Sequence, residues 1–263
     1  MKYCLSNRQP DSLLKTVDEI KISMRDFRAI PEYIEKFPTK TLILEFKNEL
    51  PDDFGWDVIA AYADKMEGRF HCALSDLGMA RECAIRGIKF YYKYPVTTFF
   101  ELAGLKDLGV SYVLVGTPLM FDLKNVAAYD IPLRAIPNLA YEPYIKHVNG
   151  IYGGWVRPED VESYGTYIDT FEFYAPGELD KEAVLLKIYS KTGSWPGNLN
   201  LLIENFNYDF DNRLLIDAKG FAERRMNCKQ RCLSGRICRY CEHQMNSLEV
   251  IKKYREYKDA LDL

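Results

Sequence analysis

Glu19-Ile20-Lys21-Ile22-Ser23 runs without a break into Met24-Arg25-Asp26-Phe27. The first five residues read as a strand. An open, doubly wound α/β sheet usually follows such a strand with a glycine-rich turn that lets the backbone approach a phosphate. Here that place holds no glycine. Comparable signals recur at residues 41–46, 69–74, 87–92, 112–116, 133–137, 150–156 and 170–174, giving eight expected strands. Several are dense in Ile, Val, Leu, Phe and Tyr, as parallel strands covered on both faces are. Their spacing of roughly twenty residues fits one strand plus one helix per unit. Eight such units without a dinucleotide turn predict a closed (β/α)8 TIM-like barrel.

The stretches between strands carry helix signals. Pro31 opens residues 31–37 in the position where a missing N–H costs nothing. Residues 56–66 set Val58, Ile59, Tyr62 and Ala63 on one face, and residues 80–86 end before Gly87, a C-cap residue. Thr97 or Thr98 is placed to cap the helix carrying Phe99, Leu102 and Leu105, and Asp122 to cap residues 123–129. Pro158-Glu159-Asp160 puts acids in a first turn, where the helix dipole favours them. Residues 179–190 read as the last barrel helix. The expected division is a barrel over residues 1–190 and a C-terminal extension over 191–263 with a four-cysteine metal-binding site. The extension closes with an amphipathic helix bearing Leu248, Ile251, Tyr254 and Leu261.

The 263 residues are 48% hydrophobic, enough to build a large core, and the net charge of −3 gives no global reason to expect DNA or a membrane surface as partner. No apolar run reaches the length of a membrane span, and residues 1–8 lack the apolar stretch of a secretory leader. The expected location is therefore the reducing cytoplasm, where seven cysteines read as thiols and metal ligands rather than disulfides. Cys4, Cys72 and Cys83 are scattered and read as small apolar residues.

Cys228, Cys232, Cys238 and Cys241 form the pattern Cys-x3-Cys-x5-Cys-x2-Cys. Four thiolates this close in sequence can converge on one soft metal centre, either zinc or a 4Fe–4S iron–sulfur cluster. Gly235 lets the chain reverse between the pairs. Lys229, Arg231, Arg236 and Arg239 offset the negative charge of such a centre. Together with Arg224, Arg225, Phe221 and Tyr240 the same cations could instead stack on single-stranded RNA. Charge balance around a metal is the plainer account.

Arg231-Cys232-Leu233-Ser234-Gly235-Arg236 with Cys238 and Cys241, and the helix–strand join Leu108-Gly109-Val110-Ser111-Tyr112-Val113-Leu114-Val115-Gly116, resemble the collagenase-like peptidase family and its hydroxylase relatives. That resemblance implies a barrel-like α/β domain with a four-iron four-sulfur cluster near its C-terminal side. It also implies a redox-linked reaction on RNA or a small metabolite.

Barrel chemistry sits where strands end. Among the residues there, Glu45, Lys93, Asn138, Arg157 and Glu172 are the candidate catalytic set. Glu45 and Glu172 could exchange protons, while Lys93 or Arg157 could hold an anionic substrate. The alternative for each is mutual Glu–Lys or Glu–Arg pairing. His71 lies within a strand and reads as a satisfied core histidine, and Gly153-Gly154 either admits a phosphate or allows close packing. Two functions follow from these readings: an iron–sulfur-dependent enzyme acting on RNA or a small metabolite, or a non-catalytic binding or assembly protein fastened by zinc.

Overall fold

Strand β1 (Lys2–Ser6) and strand β2 (Glu19–Ser23) alternate residue types, and a strand sends alternate side chains to opposite faces. In the computed structural model, which describes residues 1–46, 51–140, 153–175, 178–190, 195–204, 206, 211–213 and 220–228, this alternation separates two environments. Ile20 and Ile22 face outward into the main apolar core, while Glu19, Lys21 and Ser23 face the barrel axis.

The remaining strands are β3 (Thr41–Glu45), β4 (Phe70–Leu74), β5 (Lys89–Val96), β6 (Tyr112–Val115), β7 (Leu133–Ala135) and β8 (Thr170–Glu172). All neighbours pair in parallel, and β1 pairs with β8, so the sheet closes in the order β1 to β8. Seven of these strands coincide with expected ones. The eighth differs: residues 153–156 form no strand, and β1 closes the ring in place of the expected strand at 150–156, whose residues 150–152 lie outside the described ones. Gly153 is the reason. A Cβ there would overlap the Ala140 carbonyl oxygen and lie 2.8 Å from Ala140 Cα, so this backbone is pressed against another loop rather than a strand. Of the two readings of Gly153-Gly154, close packing describes Gly153. The Gly153→Ala protein is expected to lose about 1–3 kcal/mol in a urea unfolding curve, the usual cost of forcing atoms into a filled site. Gly104→Ala serves as its control, because Gly104 meets nothing within 4 Å and stands inside a helix, where alanine gains about 0.8–1 kcal/mol.

Helices α1 (Asp11–Leu14), α2 (Ile30–Lys36), α3 (Asp53–Lys65), α4 (Gly78–Ile85), α5 (Phe99–Asp107), α6 (Leu123–Ala127), α7 (Val161–Tyr164) and α8 (Leu179–Ser190) link and follow the strands. Helix α5 begins with a full capping box: Thr98 accepts from the Glu101 N–H while the Glu101 carboxylate accepts from the Thr98 N–H. Its four hydrogen bonds from Thr97 and Thr98 outweigh the effect of burial and hold the Glu101 carboxyl below its usual range. Gly87, beyond α4, has φ +66° as its cap role requires. Asp122 departs from expectation. Its backbone (φ −143°, ψ 41°) does not aim the carboxylate at the α6 amides, and both oxygens accept from Asn125 Nδ2 at 2.9 Å instead.

The outward strand faces and the helices share one core that includes Leu5, Ile22, Leu44, Leu74, Val113 and Phe171. Burying each such side chain contributes roughly 1.5–3 kcal/mol. Residues after α8 join the same core through Leu199, Leu202, Ile203 and Phe206. Helix α9 (Phe221–Met226) docks beside the fully buried Trp155. There Arg225 lies 4.1 Å from the Trp155 ring and donates to the carbonyls of Trp155 and Gly153. With the Phe121 and Phe221 rings also 5.3 and 5.4 Å away, these contacts make Arg225 the pin of this helix.

Candidate active site at the barrel mouth

The barrel interior is part apolar and part ionic. Cys4, Ile43, Ala73 and Tyr91 form a small inner cluster, with Tyr112 packed against it. Around it run Glu19, Arg134, Glu172, Lys21, Glu45 and Lys93, three acids alternating with three cations. Arg134 is fully buried. It pairs with Glu19, reaches Glu172 at 3.4 Å, and stacks 4.8 Å and 4.6 Å from the Tyr91 and Tyr112 rings. Lys21 lies 3.9 Å from Glu172, and Lys93 3.9 Å from Glu45.

Strand register produces this arrangement. Ser6 stands beside Lys21, and Ser23 beside Glu45, on the inner face. At the C-terminal ends of β1, β2, β3 and β8 they open into a cavity of about 300 Å³, also lined by Arg8, Phe173, Tyr174 and Glu182. Glu182, on α8, accepts from the Ser6 N–H at 2.9 Å and from Gln9 Nε2 at 2.8 Å, which ties α8 to the end of β1.

Electrostatics assigns different states to these groups. Burial pulls the Lys21 ammonium down, but Glu172 and Glu45 outweigh it and hold the group above the ordinary lysine range. Lys21 is therefore a fixed cation at neutral pH and a poor amine nucleophile. Burial pushes the Cys4 thiol up to about 12, so it stays protonated. Burial also raises Glu19, against the opposing pull of Arg134.

Of the five candidate residues, the barrel brings three into one ionic set. Glu45 faces the cavity with Lys93 beside it, and Lys93 also donates to the Phe46 carbonyl at 2.7 Å. Glu172 lies deeper, between Arg134 and Lys21. Asn138 and Arg157 stand apart from this set. The Asn138 amide donates to the Tyr174 carbonyl and accepts from the Tyr174 N–H, clamping the exits of β7 and β8. Arg157 makes a two-pronged pair with Asp160 at 2.7 and 2.8 Å and lies 4.7 Å from the Phe221 ring. The sequence reading missed Ser6, Arg8, Lys21 and Glu182. Strict alternation in Glu19-Ile20-Lys21-Ile22-Ser23 was the available signal for Lys21.

Cys228, half-buried, follows α9, and its N–H donates to the Arg225 carbonyl. Cys232, Cys238 and Cys241 lie outside the described residues. Among the described residues no group of three or more His, Cys, Asp or Glu side chains could hold a metal ion. Cys4, Cys72 and Cys83 are buried thiols. Phe221 and Arg225 are buried against Trp155, which withdraws both from the surface set read as able to stack on RNA. His71 is a core histidine as expected, half satisfied: a backbone hydrogen bond at Gly68 reaches the ring, while Nδ1 has no partner among the described residues. No described helix is long and apolar enough to cross a membrane.

Fold and interior together define an eight-stranded parallel α/β barrel with an ionic axis. No protein-family model and no curated protein matches the chain. Among solved structures it is similar to one described as native KDPGal, at 14% identity and TM-score 0.45, over 72% of this chain and 94% of that one. It is similar also to 3-keto-L-gulonate-6-phosphate decarboxylase from Vibrio cholerae O1 biovar El Tor, at 14% identity and TM-score 0.45, over 74% of this chain and 99% of that one. A third is a cube-shaped, porous protein cage designed by fusing symmetric oligomeric domains, at 11% identity and TM-score 0.46, over 99% of this chain and 85% of that one.

Proposed function

We propose that this barrel is an enzyme acting on a small metabolite at the mouth formed by β1, β2, β3 and β8. The observation that carries the reading is the pairing of a fixed cation with a carboxylate on one cavity wall: Lys21 and Glu45, in about 300 Å³ of space. That volume is at the small end of ligand pockets, suited to a metabolite. Lys21 would stabilise negative charge that develops on the substrate, and Glu45 would accept or return a proton. Glu172, held by Arg134 and Lys21, keeps Lys21 in position. Burial of Phe221 and Arg225 favours a small molecule over RNA as substrate. Incubated with a pool of polar metabolites and followed by mass spectrometry, the protein is expected to deplete one compound. The Glu45→Gln protein should leave that compound unchanged. No depletion by the unaltered protein would remove the enzymatic reading.

The four-cysteine centre belongs to the same proposal. Cys228, Cys232, Cys238 and Cys241 supply four thiolates, a complete set for a 4Fe–4S cluster or for structural zinc. Cys228 begins the set two residues after α9, so a bound centre would be anchored to the barrel through Arg225 and Trp155. Purification without oxygen is expected to give brown protein with stoichiometric iron and sulfide. Colourless protein with one zinc would favour the second reading, a binding or assembly protein fastened by that metal.

A further inference from the structure

We infer that the molecule taken by this mouth carries an oxyanion, carboxylate or phosphate, seated among Ser6, Arg8, Lys21 and Ser23. The inference rests on the reading of the mouth as a metabolite site and names the chemistry it selects. Its basis is an excess of uncommitted donors on one wall. The Lys21 ammonium is 22% exposed, and its nearest carboxylate oxygen, on Glu172, is 3.9 Å away, beyond hydrogen-bond reach. It makes no hydrogen bond among the described residues. Its charged N–H donors, on a residue that lines the cavity, are therefore held in place by charge and not consumed by it.

Arg8 is exposed at the same rim, and its guanidinium has no ion-pair or hydrogen-bond partner among the described residues. The Ser6 and Ser23 hydroxyl oxygens each accept a long backbone N–H bond of 3.4 Å, from Arg8 and Arg25, which leaves both O–H protons to donate. The acids are outnumbered on this wall. Glu182 already accepts from Ser6 and Gln9, which leaves Glu45, 3.9 Å from Lys93, as the open carboxylate and the group that would exchange a proton with the bound molecule. Two cations and two hydroxyls, on the adjacent strands β1 and β2 or the turn after β1, make a pocket for bidentate oxygen ligands. The other lining residues, Phe173, Tyr174, Ala175 and Leu179, are mostly carbon and suit the rest of a small organic acid or ester.

The test uses inorganic phosphate and acetate separately, at ionic strength fixed with chloride, and follows backbone amide resonances of the full chain. Saturable shifts confined to residues around Ser6, Arg8, Lys21 and Ser23 are expected with one of the two. Phosphate alone would indicate a phosphate ester, and acetate alone a carboxylate. Arg8→Ala, an exposed change that leaves the ionic axis intact, should weaken the binding about ten-fold or more, as loss of a hydrogen bond to a charged group does. Failure of both anions to saturate, or an affinity unchanged from the unaltered protein in Arg8→Ala and Ser23→Ala, would overturn the inference. The metabolite depletion assay separates the two proposals. A depleted compound without an oxyanion sinks this inference and leaves the enzymatic reading standing. Anion binding at these residues without any depletion does the reverse.

Discussion

Replacing Arg134 with methionine is expected to destabilise the protein by about 3–5 kcal/mol, the range for removing one partner of a buried ion pair. The size follows from what is stranded. Glu19 is 1% exposed and has Arg134 as its partner, and Glu172 would keep only Lys21, at 3.9 Å. The Tyr91 and Tyr112 rings would lose the guanidinium stacked between them. Urea unfolding at neutral pH measures the loss. A second substitution distinguishes charge from packing. With Glu19→Gln added, the stranded carboxylate is gone and a good part of the loss should return. If Arg134→Met costs less than 1 kcal/mol, or the double variant is as unstable as the sum of the singles, the ionic axis is not what holds the interior. Arg134→Lys should not substitute fully, since an ammonium lacks the planar fork that reaches both Glu19 and Glu172.

The barrel was legible in the sequence because its outer face obeys a simple rule. Ile20, Ile22, Leu42 and Leu44 must be covered by helices, and the helices announce themselves through Thr98, Gly87 and Pro31. Strand β1 was missed because five residues at the chain start carry no flanking turn signal on one side. With β1 went Ser6 and Arg8, half of the donor wall. Residues 153–156 formed part of an expected strand through their aromatic and aliphatic surroundings in sequence, but a close approach of Gly153 to Ala140 is a tertiary fact with no local signature. The candidate site was legible only in part. Glu45, Lys93 and Glu172 follow from strand ends, whereas the partnership of Arg134 with Glu19 joins residues 115 apart in sequence. Asn138 stands just beyond β7 as expected, whereas Arg157 follows no strand, and each is held by a neighbouring group: Tyr174 for one, Asp160 for the other. Strand ends predict height along the barrel axis. They do not predict which way a side chain turns.

Acid will unfold this barrel partly through His71. Burial, followed by the charges of Lys89 and Arg134, lowers its imidazole from 6.5 to about 3. Lys2 adds to that repulsion, and the Tyr112 ring lies 4.9 Å away. A backbone hydrogen bond at Gly68 works the other way and is outweighed. The sign is set by the depressed value. Between pH 6.5 and about 3 the unfolded chain takes up a proton that the folded chain refuses, so stability falls as pH falls through that window and is restored above it. The slope for one proton is about 1.4 kcal/mol per pH unit, which makes the full contribution of order 5 kcal/mol. Other carboxylates titrate in the same range, and the raised Glu19 contributes in the opposite direction. The informative quantity is therefore a difference. Unfolding free energies of the unaltered and His71→Gln proteins, measured from pH 7 to pH 3.5, should diverge in favour of the variant as the solution is acidified. Imidazole resonances should show neutral His71 in the folded protein at pH 4.5. Parallel stability curves, or a charged imidazole at that pH, would mean that the N-terminal end of the barrel admits the proton after all.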